Sequence, residues 1–152
     1  MEHIRIRACT PNDIDSVIAL EWQWEQEDIA YGDFNPMSRE AYVSILERFP
    51  AYFLVAESDG QLVGYIHASV HHDKPVEVIP AGEPYVEIED IYVHPDFRDR
   101  DIGGALLERI FEVAQQQSIQ RFIVGTLSKE TDKILRFYRS HGFTPWRIQF
   151  FQ

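Results

Sequence analysis

Acidic residues, arginines and glycines that could do chemistry together are concentrated in one stretch, residues 87–107. A strand-like acidic segment is followed by a turn and then by a helix that opens with Ile102-Gly103-Gly104. The first turn of a helix has unpaired N–H groups and about half a positive charge, and glycines there let a phosphate approach the backbone. Arg98 and Arg100 add positive charge. The pattern indicates an anion-binding strand–loop–helix, although glycines at a helix start can equally serve close packing.

The spacing of apolar residues and turn signals predicts the elements that position this stretch. Helical spacing predicts one helix from Ile14 to about Ile29 and a second from Ser38 to Pro50, and Asp59-Gly60 is a strong hairpin signal. Strands are predicted at Ile4–Ala8, Tyr52–Ala56, Gln61–Val70, Tyr85–Val93, Arg121–Thr126 and Phe143–Phe151, and further helices at Asp101–Gln117 and Thr131–His141. Hairpins that turn into helix crossovers indicate an α/β domain with a mixed sheet, in the order β-α-α-β-β-β-α-β-α-β over residues 1–152.

Size, charge and cysteine content narrow the class of protein. The 152 residues fit one domain with a full core. The formal net charge of -11 argues against nucleic-acid binding and fits either a cationic substrate or plain solubility. The single cysteine, Cys9, cannot form an intramolecular disulfide, and no apolar run approaches the roughly 18 residues of a membrane span. The N-terminus is unlike a signal peptide, so we expect a cytoplasmic protein that binds neither membrane nor nucleic acid.

Two motifs resemble the GNAT superfamily of N-acetyltransferases. The first is a strand ending in Val-x-Pro, then Arg or Gln-x-x-Gly-x-Gly or Ala, then an apolar helix; it is matched by Val93, Pro95, Arg98, Gly103, Ala105, Leu106 and Leu107. The second is Phe-Tyr-Arg-Ser-His-Gly-Phe at residues 137–143. The order and spacing of the motifs resemble the family over essentially the whole chain. The resemblance implies a GNAT-like, mostly antiparallel sheet flanked by helices, acetyl-coenzyme A as cosubstrate, no metal, and direct acetyl transfer to an amine.

The resemblance also implies where the coenzyme lies. The backbone of residues 98–104 would surround the pyrophosphate, and the Val93 N–H would face the thioester oxygen. The coenzyme-binding residues implied in this way are Ile91, Tyr92, Val93, Arg98, Asp99, Arg100, Asp101, Ile102, Gly103, Gly104 and Phe137.

Four positions depart from the family pattern. Asp99 and Asp101 stand where relatives often have glycine, and Thr131 and Ile134 stand where they often have asparagine and alanine. Like charges close together are unfavourable, so the two aspartates predict weak or altered coenzyme binding.

Transfer to an amine needs a base and an acid, because an alkyl amine with a pKa of about 10.4 arrives protonated. Glu89 is the predicted general base, because Glu89-Asp90 resembles the diamine acetyltransferases; Asp90 is the fallback, and a solvated strand carboxylate is the alternative. Tyr138 is the predicted general acid for the coenzyme thiolate, and packing of its helix is its alternative. Strand alternation predicts that Glu89 shares a face with Ile91, and Asp90 with Ile88.

Other groups could also do chemistry. Cys9 could be a nucleophile but is better explained as a small buried residue. A metal site formed by His67, His71 and His72 is less expected than exposed or substrate-loop histidines, because no ligand pattern surrounds them. Aromatic and acidic residues of the first helices could cage a cationic amine; they are Glu21, Trp22, Trp24, Glu25, Glu27, Asp28, Tyr31 and Phe34. A solvated acidic helix face is slightly preferred for this set.

Three functional interpretations therefore remain open. The leading one is acetylation of a primary amine of a small molecule; the others are acetylation of a protein or peptide amine, and a lapsed domain that binds acyl-coenzyme A or regulates. A dinucleotide-binding domain is disfavoured because no Gly-x-Gly-x-x-Gly follows the first strand. The alternating segment 146–152 predicts an edge strand that pairs with a second copy, and hence a homodimer.

Overall fold

A computed structural model describes residues 3–32 and 35–152 of the chain. The strands are β1 (Ile4–Ala8), β2 (Phe53–Ser58), β3 (Gln61–His71), β4 (Tyr85–Val93) and β5 (Arg121–Val124). The helices are α1 (Ile14–Glu27), α2 (Arg39–Arg48), α3 (Ile102–Gln116) and α4 (Thr131–Ser140). Short 3-10 turns at Pro11–Asp13, Pro50–Tyr52 and Pro95–Phe97 each begin with a proline, whose fixed φ suits the first turn of a helix.

The strands form one sheet in the order β1-β2-β3-β4-β5. Neighbouring strands are antiparallel except for β4 and β5, which are parallel because α3 crosses between them. The Asp59-Gly60 turn has positive φ at both residues, as the tight hairpin predicted from the sequence requires. The fold class and the order of elements from β1 to α4 are confirmed.

Apolar side chains cover both faces of the sheet. One face packs on α3 through a cluster that includes Ile66, Ile88 and Leu106. The other face packs on α1 and α2 through a cluster that includes Tyr42, Tyr65 and Tyr92. Helices on both faces of a sheet give a three-layer α/β arrangement.

A β-bulge in β4 changes which side chains share a face. Residue 67 of β3 pairs with Asp90 and residue 68 with Ile88, so Glu89 is the extra residue. Ile88 and Ile91 consequently pack in the same cluster beside α3. The prediction from strict alternation, with Glu89 beside Ile91 and Asp90 beside Ile88, is therefore wrong: the bulge brings both carboxylates to the face covered by α1 and α2.

The parallel pair β4 and β5 separates beyond the bulge. Their register runs only from Tyr85 with Arg121 to Ile88 with Val124, whereas β4 continues to Val93. The second half of β4 is paired with β3 alone, so its other edge is open. On the paired side, Gly64 of β3 lies so close that a β-carbon there would be 2.9 Å from the Tyr92 carbonyl oxygen.

The strand predicted at Phe143–Phe151 is not formed. Gly142 closes α4 with a φ of +89°, as predicted, and the Phe143 N–H donates back to the Tyr138 carbonyl. Residues 145–152 have no regular secondary structure, and Ile148, Phe150 and Phe151 are 72%, 88% and 82% exposed. Alternation alone does not make a strand, which also needs backbone pairing with a neighbouring strand, and among the described residues this segment has no such pairing.

Candidate active site

Glu89 and Asp90 lie together in a groove between α2 and the sheet. The groove has a volume of about 330 Å³. The side of α2 contributes Met37, Ile45, Arg48 and Phe49, and the sheet contributes His67, Ala68, Ser69, Glu89 and Asp90. The predicted base and its fallback therefore share one site, and the bulge is the reason.

Each of the two carboxylates has a partner on β3. The Ser69 hydroxyl donates to Glu89 Oε1 at 2.6 Å, and His67 Nε2 lies 3.0 Å from Asp90 Oδ2. The His67 side chain is buried, and its Nδ1 has no hydrogen-bond partner within residues 3–32 and 35–152. Glu89 is exposed and Asp90 half-buried, so Glu89 is the more accessible group for an incoming amine.

A second set of polar side chains adjoins Glu89. His71 Nε2 lies 3.0 Å from Glu87 Oε1 and 2.9 Å from the Ser69 hydroxyl, and Lys74 Nζ lies 3.5 Å from the same Glu87 oxygen. One ligand atom from each of His71, Glu87 and Glu89 lies within 4.8 Å of the others, which is close enough to hold a metal ion. Each of these groups already has a protein partner. Sequence reasoning considered His71 with its neighbours in the chain and missed the carboxylates of the adjacent strand.

Tyr138, on α4, is half-buried and packs against Phe137 and Phe143. Burial, together with the negative charge of Asp90, raises the pKa of its hydroxyl to about 12. The phenol therefore keeps its proton at neutral pH. A phenol that is protonated at neutral pH can give its proton to a leaving thiolate.

The open edge of β4 presents the backbone of Val93. The His94 N–H donates to the Val63 carbonyl of β3 at 2.8 Å. Because successive N–H groups of a strand alternate in direction, the Val93 N–H points away from β3, towards the edge that β5 has left. The N–H that the resemblance predicts to face the thioester oxygen therefore points to the open side of β4.

Arg98 is held by protein groups. Its Nε donates to the Val93 carbonyl at 2.9 Å, and its two terminal nitrogens contact the Glu27 carboxylate at 2.6 and 2.7 Å. Tyr92 donates to the same carboxylate. Burial would raise the pKa of Glu27, but the hydrogen bonds from Arg98 and Tyr92 outweigh it and lower the pKa. The Arg98 side chain therefore links the loop to β4 and α1. Arg98 and Glu27 are 71 residues apart, so the sequence gave no sign of this contact.

The loop before α3 has the backbone shape expected of a glycine-rich loop. Asp99 and Asp101 have φ values of 63° and 61°, in the left-handed region that glycine favours and aspartate tolerates. The Asp101 carboxylate and His141 Nε2 both lie beside Gly104, at the position that a β-carbon on this residue would take. The N–H groups at the start of α3 have no partner within the helix, which suits a phosphate. The residues fit coenzyme A in backbone shape, with two negative side chains added.

Phe137 of α4 lies beside the same helix start. A β-carbon at Gly103 would lie 3.6 Å from the Phe137 ring and 3.9 Å from Val93 Cγ2. Among the predicted coenzyme residues, Ile91, Tyr92 and Val93 therefore belong to the open half of β4, and Ile102, Gly103 and Phe137 adjoin it. Arg100 lies over the Phe97 ring. The structure brings the predicted groups to one region.

Among the described residues, the acidic and aromatic side chains of the predicted cage make separate contacts. Glu21 is buried and accepts from the Tyr42 hydroxyl and from the Met37 N–H at 3.1 Å, beneath the groove. Burial raises the pKa of its carboxyl above the ordinary value of 4.5. Trp24 stacks on Tyr92. Trp22 and Tyr31 are exposed, and Phe34 lies outside the described residues.

Cys9 is buried next to β2, and its N–H donates to the Phe53 carbonyl. Burial raises the pKa of its thiol to about 12. A thiol in this state is a poor nucleophile, which agrees with its interpretation as a core residue.

The chain belongs to the acetyltransferase (GNAT) family, a family of acyltransferases. The sequence pattern of this family matches residues 15–143. It is 27% identical over 139 residues to an uncharacterised N-acetyltransferase of Methanocaldococcus jannaschii, covering 91% of this chain and 59% of that protein. It is 30% identical over 122 residues to the amino-acid acetyltransferase of Photobacterium profundum, covering 80% of this chain and 24% of that protein. The chain thus spans well under two thirds of the length of both relatives.

The fold is also similar to solved structures. The aminoglycoside N-acetyltransferase AAC(6')-Iy, in complex with the bisubstrate analogue CoA-S-monomethyl-acetylneamine, superposes with a TM-score of 0.77 at 21% identity, over 99% of this chain and 97% of that one. Among the described residues, no helix combines the length and the apolar character needed to cross a membrane.

Proposed function

We propose that this chain transfers the acetyl group of acetyl-coenzyme A directly to a primary amine of a small molecule. The observation that carries the proposal is the bulge in β4, which places Glu89 and Asp90 in one groove at the point where β4 and β5 separate. A volume of about 330 Å³ is at the small end of small-molecule sites, which favours a small acceptor over a protein or peptide.

In the proposed reaction Glu89 takes the proton from the substrate ammonium, directly or through water. The amine nitrogen then forms a bond to the acetyl carbon, and the carbon–sulfur bond breaks. The Val93 N–H donates to the thioester oxygen as negative charge develops on it. Tyr138 gives its proton to the departing coenzyme thiolate and is reprotonated from water, which also takes the second proton that the nitrogen loses as the amide forms. Asp90 adds negative charge that favours binding of the cationic amine.

The named relatives support the chemistry but differ in acceptor. AAC(6')-Iy was captured with an analogue that joins coenzyme A to an acetylated neamine, and the Photobacterium protein is an amino-acid acetyltransferase. Both names agree with a small amine acceptor. Neamine, the acceptor in the AAC(6')-Iy complex, carries several positive charges. An amino acid, the acceptor of the Photobacterium enzyme, also carries a carboxylate.

Calorimetry with acetyl-coenzyme A tests the proposal first. We expect micromolar binding to the wild type and to Gly103→Ala, whose new methyl group would make only ordinary contacts at 3.6 Å. Gly103→Trp would fill the space beside Phe137 and abolish binding. Thermal unfolding of both variants checks that they fold.

Thiol release with a panel of amines then measures transfer. No binding of acetyl-coenzyme A at millimolar concentration would contradict the proposal and favour the lapsed, non-catalytic interpretation. Binding without turnover on any amine of the panel would contradict the proposed acceptor class.

The proposal includes a cytoplasmic location and a homodimer. The C-terminal segment 145–152 has no regular secondary structure and exposes Ile148, Phe150 and Phe151, and an unpaired apolar segment of this kind is suited to pairing with a second copy. Sedimentation at micromolar concentration should give a dimer, and Phe150→Asp should weaken it. A wild-type monomer would contradict the dimer without affecting the proposed reaction.

A further inference from the structure

The acceptor groove has charges of opposite sign on its two sides. Glu89 and Asp90 line the side formed by the sheet, and Arg48 lines the side formed by α2. The lining also includes apolar side chains, among them Met37 and Ile45 from the α2 side, and the polar side chains of His67 and Ser69 beside the carboxylates. A ligand that fills this groove therefore meets negative charge, apolar surface and positive charge.

Arg48 has no carboxylate partner within residues 3–32 and 35–152. Other arginines of the chain are paired, among them Arg7 with Asp13, Arg39 with Asp15 and Arg98 with Glu27. The guanidinium of Arg48 instead lies over the ring of Phe49, 5.2 Å from its centre, and Phe49 also lines the groove. This contact places the guanidinium beside the groove wall. None of its N–H groups donates to an acceptor among the described residues.

The position of Arg48 in the last turn of α2 gives it a structural role as well. A cation there interacts favourably with the C-terminal end of the helix dipole. That role needs no ligand and predicts an effect on stability alone. It leaves the planar donor set of the guanidinium, which matches a carboxylate, available to a substrate.

We propose that the acceptor is an amino carboxylate, whose amine meets Glu89 and Asp90 and whose carboxylate meets Arg48 across an apolar body. The proposal rests on the proposed function and specifies its substrate class. A diamine or an aminoglycoside would place a second cation at Arg48, where like charges repel. The structure therefore favours the acceptor type of the amino-acid acetyltransferase over the polycationic one.

Three amines of the same length test the charge directly: aminohexanoate, hexylamine and hexanediamine, each with saturating acetyl-coenzyme A. We expect kcat/KM to be highest for aminohexanoate and lowest for hexanediamine. Arg48→Gln should lower kcat/KM for aminohexanoate about fivefold, the size of a partly exposed ion pair, and leave hexylamine unchanged. Arg48→Glu should make hexanediamine the better substrate. Shorter and longer amino carboxylates would then measure the spacing of the two charges.

Arg109→Gln is the matched control. Arg109 is an exposed arginine of α3 paired with Glu112, so this variant has the same net charge as Arg48→Gln without altering the groove. Equal changes for all three amines in Arg48→Gln, or the same changes in Arg109→Gln, would overturn the proposal. A wild type that prefers hexanediamine would also overturn it.

Binding separates this proposal from the proposed function. Calorimetric titration with aminohexanoate, without turnover, should show tighter binding to the wild type than to Arg48→Glu. This difference is expected even if transfer fails, and its absence would overturn the role of Arg48 while leaving acetyl transfer to other amines intact.

Discussion

The groove that contains Glu89 and Asp90 is formed by side chains, whereas the loop before α3, residues 98–104, is formed mainly by its backbone. In the groove, polar side chains on neighbouring strands contact one another, as Ser69 contacts Glu89 and His67 contacts Asp90. In the loop, the backbone provides the binding groups, because Asp99 and Asp101 adopt left-handed conformations and the start of α3 presents its N–H groups. The side chains of the loop add negative charge that its expected ligand does not need.

The difference indicates where substitution should matter. In the groove, changing a functional group at constant shape should alter the reaction. In the loop, changing charge at constant backbone conformation should alter affinity for the coenzyme.

Glu89→Gln should lower kcat by about a thousandfold, within the range of general base catalysis, and leave the Kd for acetyl-coenzyme A unchanged. The amide keeps the shape and the contact with Ser69 but cannot accept the substrate proton. Steady-state kinetics and calorimetry on the same preparations measure both quantities, with the exposed carboxylate variant Glu112→Gln as control. A larger loss in Asp90→Asn than in Glu89→Gln would assign the base to Asp90 instead.

Tyr138→Phe should lower kcat by about a hundredfold. Since the pKa of Tyr138 is raised to about 12, the acid remains protonated while alkyl amines lose their protons, at about pH 9 to 11. The pH–rate profile up to pH 11 should therefore have the same shape in the variant and in the wild type, displaced downwards. A basic limb below pH 11 that disappears in Tyr138→Phe would contradict this assignment.

Asp101→Asn should tighten binding of acetyl-coenzyme A about fivefold. Asparagine tolerates the left-handed backbone, so the change removes a negative charge near the expected pyrophosphate and little else. Asp59→Asn is the matched control, because Asp59 has a φ of 49° in the hairpin turn. The gain should shrink in high salt, where charges are screened, and equal affinities at low salt would show that Asp101 points away from the ligand.

Glu21→Gln should have the smallest effect and a defined pH dependence. Burial raises the folded-state pKa of Glu21, so its contribution to stability is present below pH 4.5 and is lost as the pH rises through the folded pKa. The free energy of unfolding of the wild type should therefore fall relative to the variant as the pH rises above 4.5. Urea unfolding at several pH values measures this difference. A constant difference would mean that Glu21 is not destabilised by burial.

Local signals were sufficient for much of the fold and of the site. The Asp59-Gly60 turn, the closure of α4 at Gly142 and the apolar spacing of α3 each depend on a few adjacent residues, and each prediction is confirmed. α1 ends slightly earlier than predicted, at Glu27, because Asp28 takes a left-handed conformation. Propensity does not resolve such a difference of one or two residues.

The features that the sequence did not reveal depend on distant pairing. The extra residue in β4 is visible only against the register of β3, and it overturned the alternation of Glu89 and Asp90. Arg98 contacts Glu27 across 71 residues, and Arg48 lines the same groove as Glu89 and Asp90 only because α2 lies on the sheet. The C-terminal segment shows the reverse case, in which an alternating pattern is present but the segment pairs with no strand of the described residues.

The burial of Cys9 makes the protein convenient to assay. Colorimetric reagents for free thiols react with thiolates, and a thiol with a pKa of about 12 supplies almost none at the pH of the assay. Colour released in such an assay would come from coenzyme A alone, without a background from the enzyme. Any cysteine introduced on the surface would also be the single labelling site for a fluorophore or spin probe.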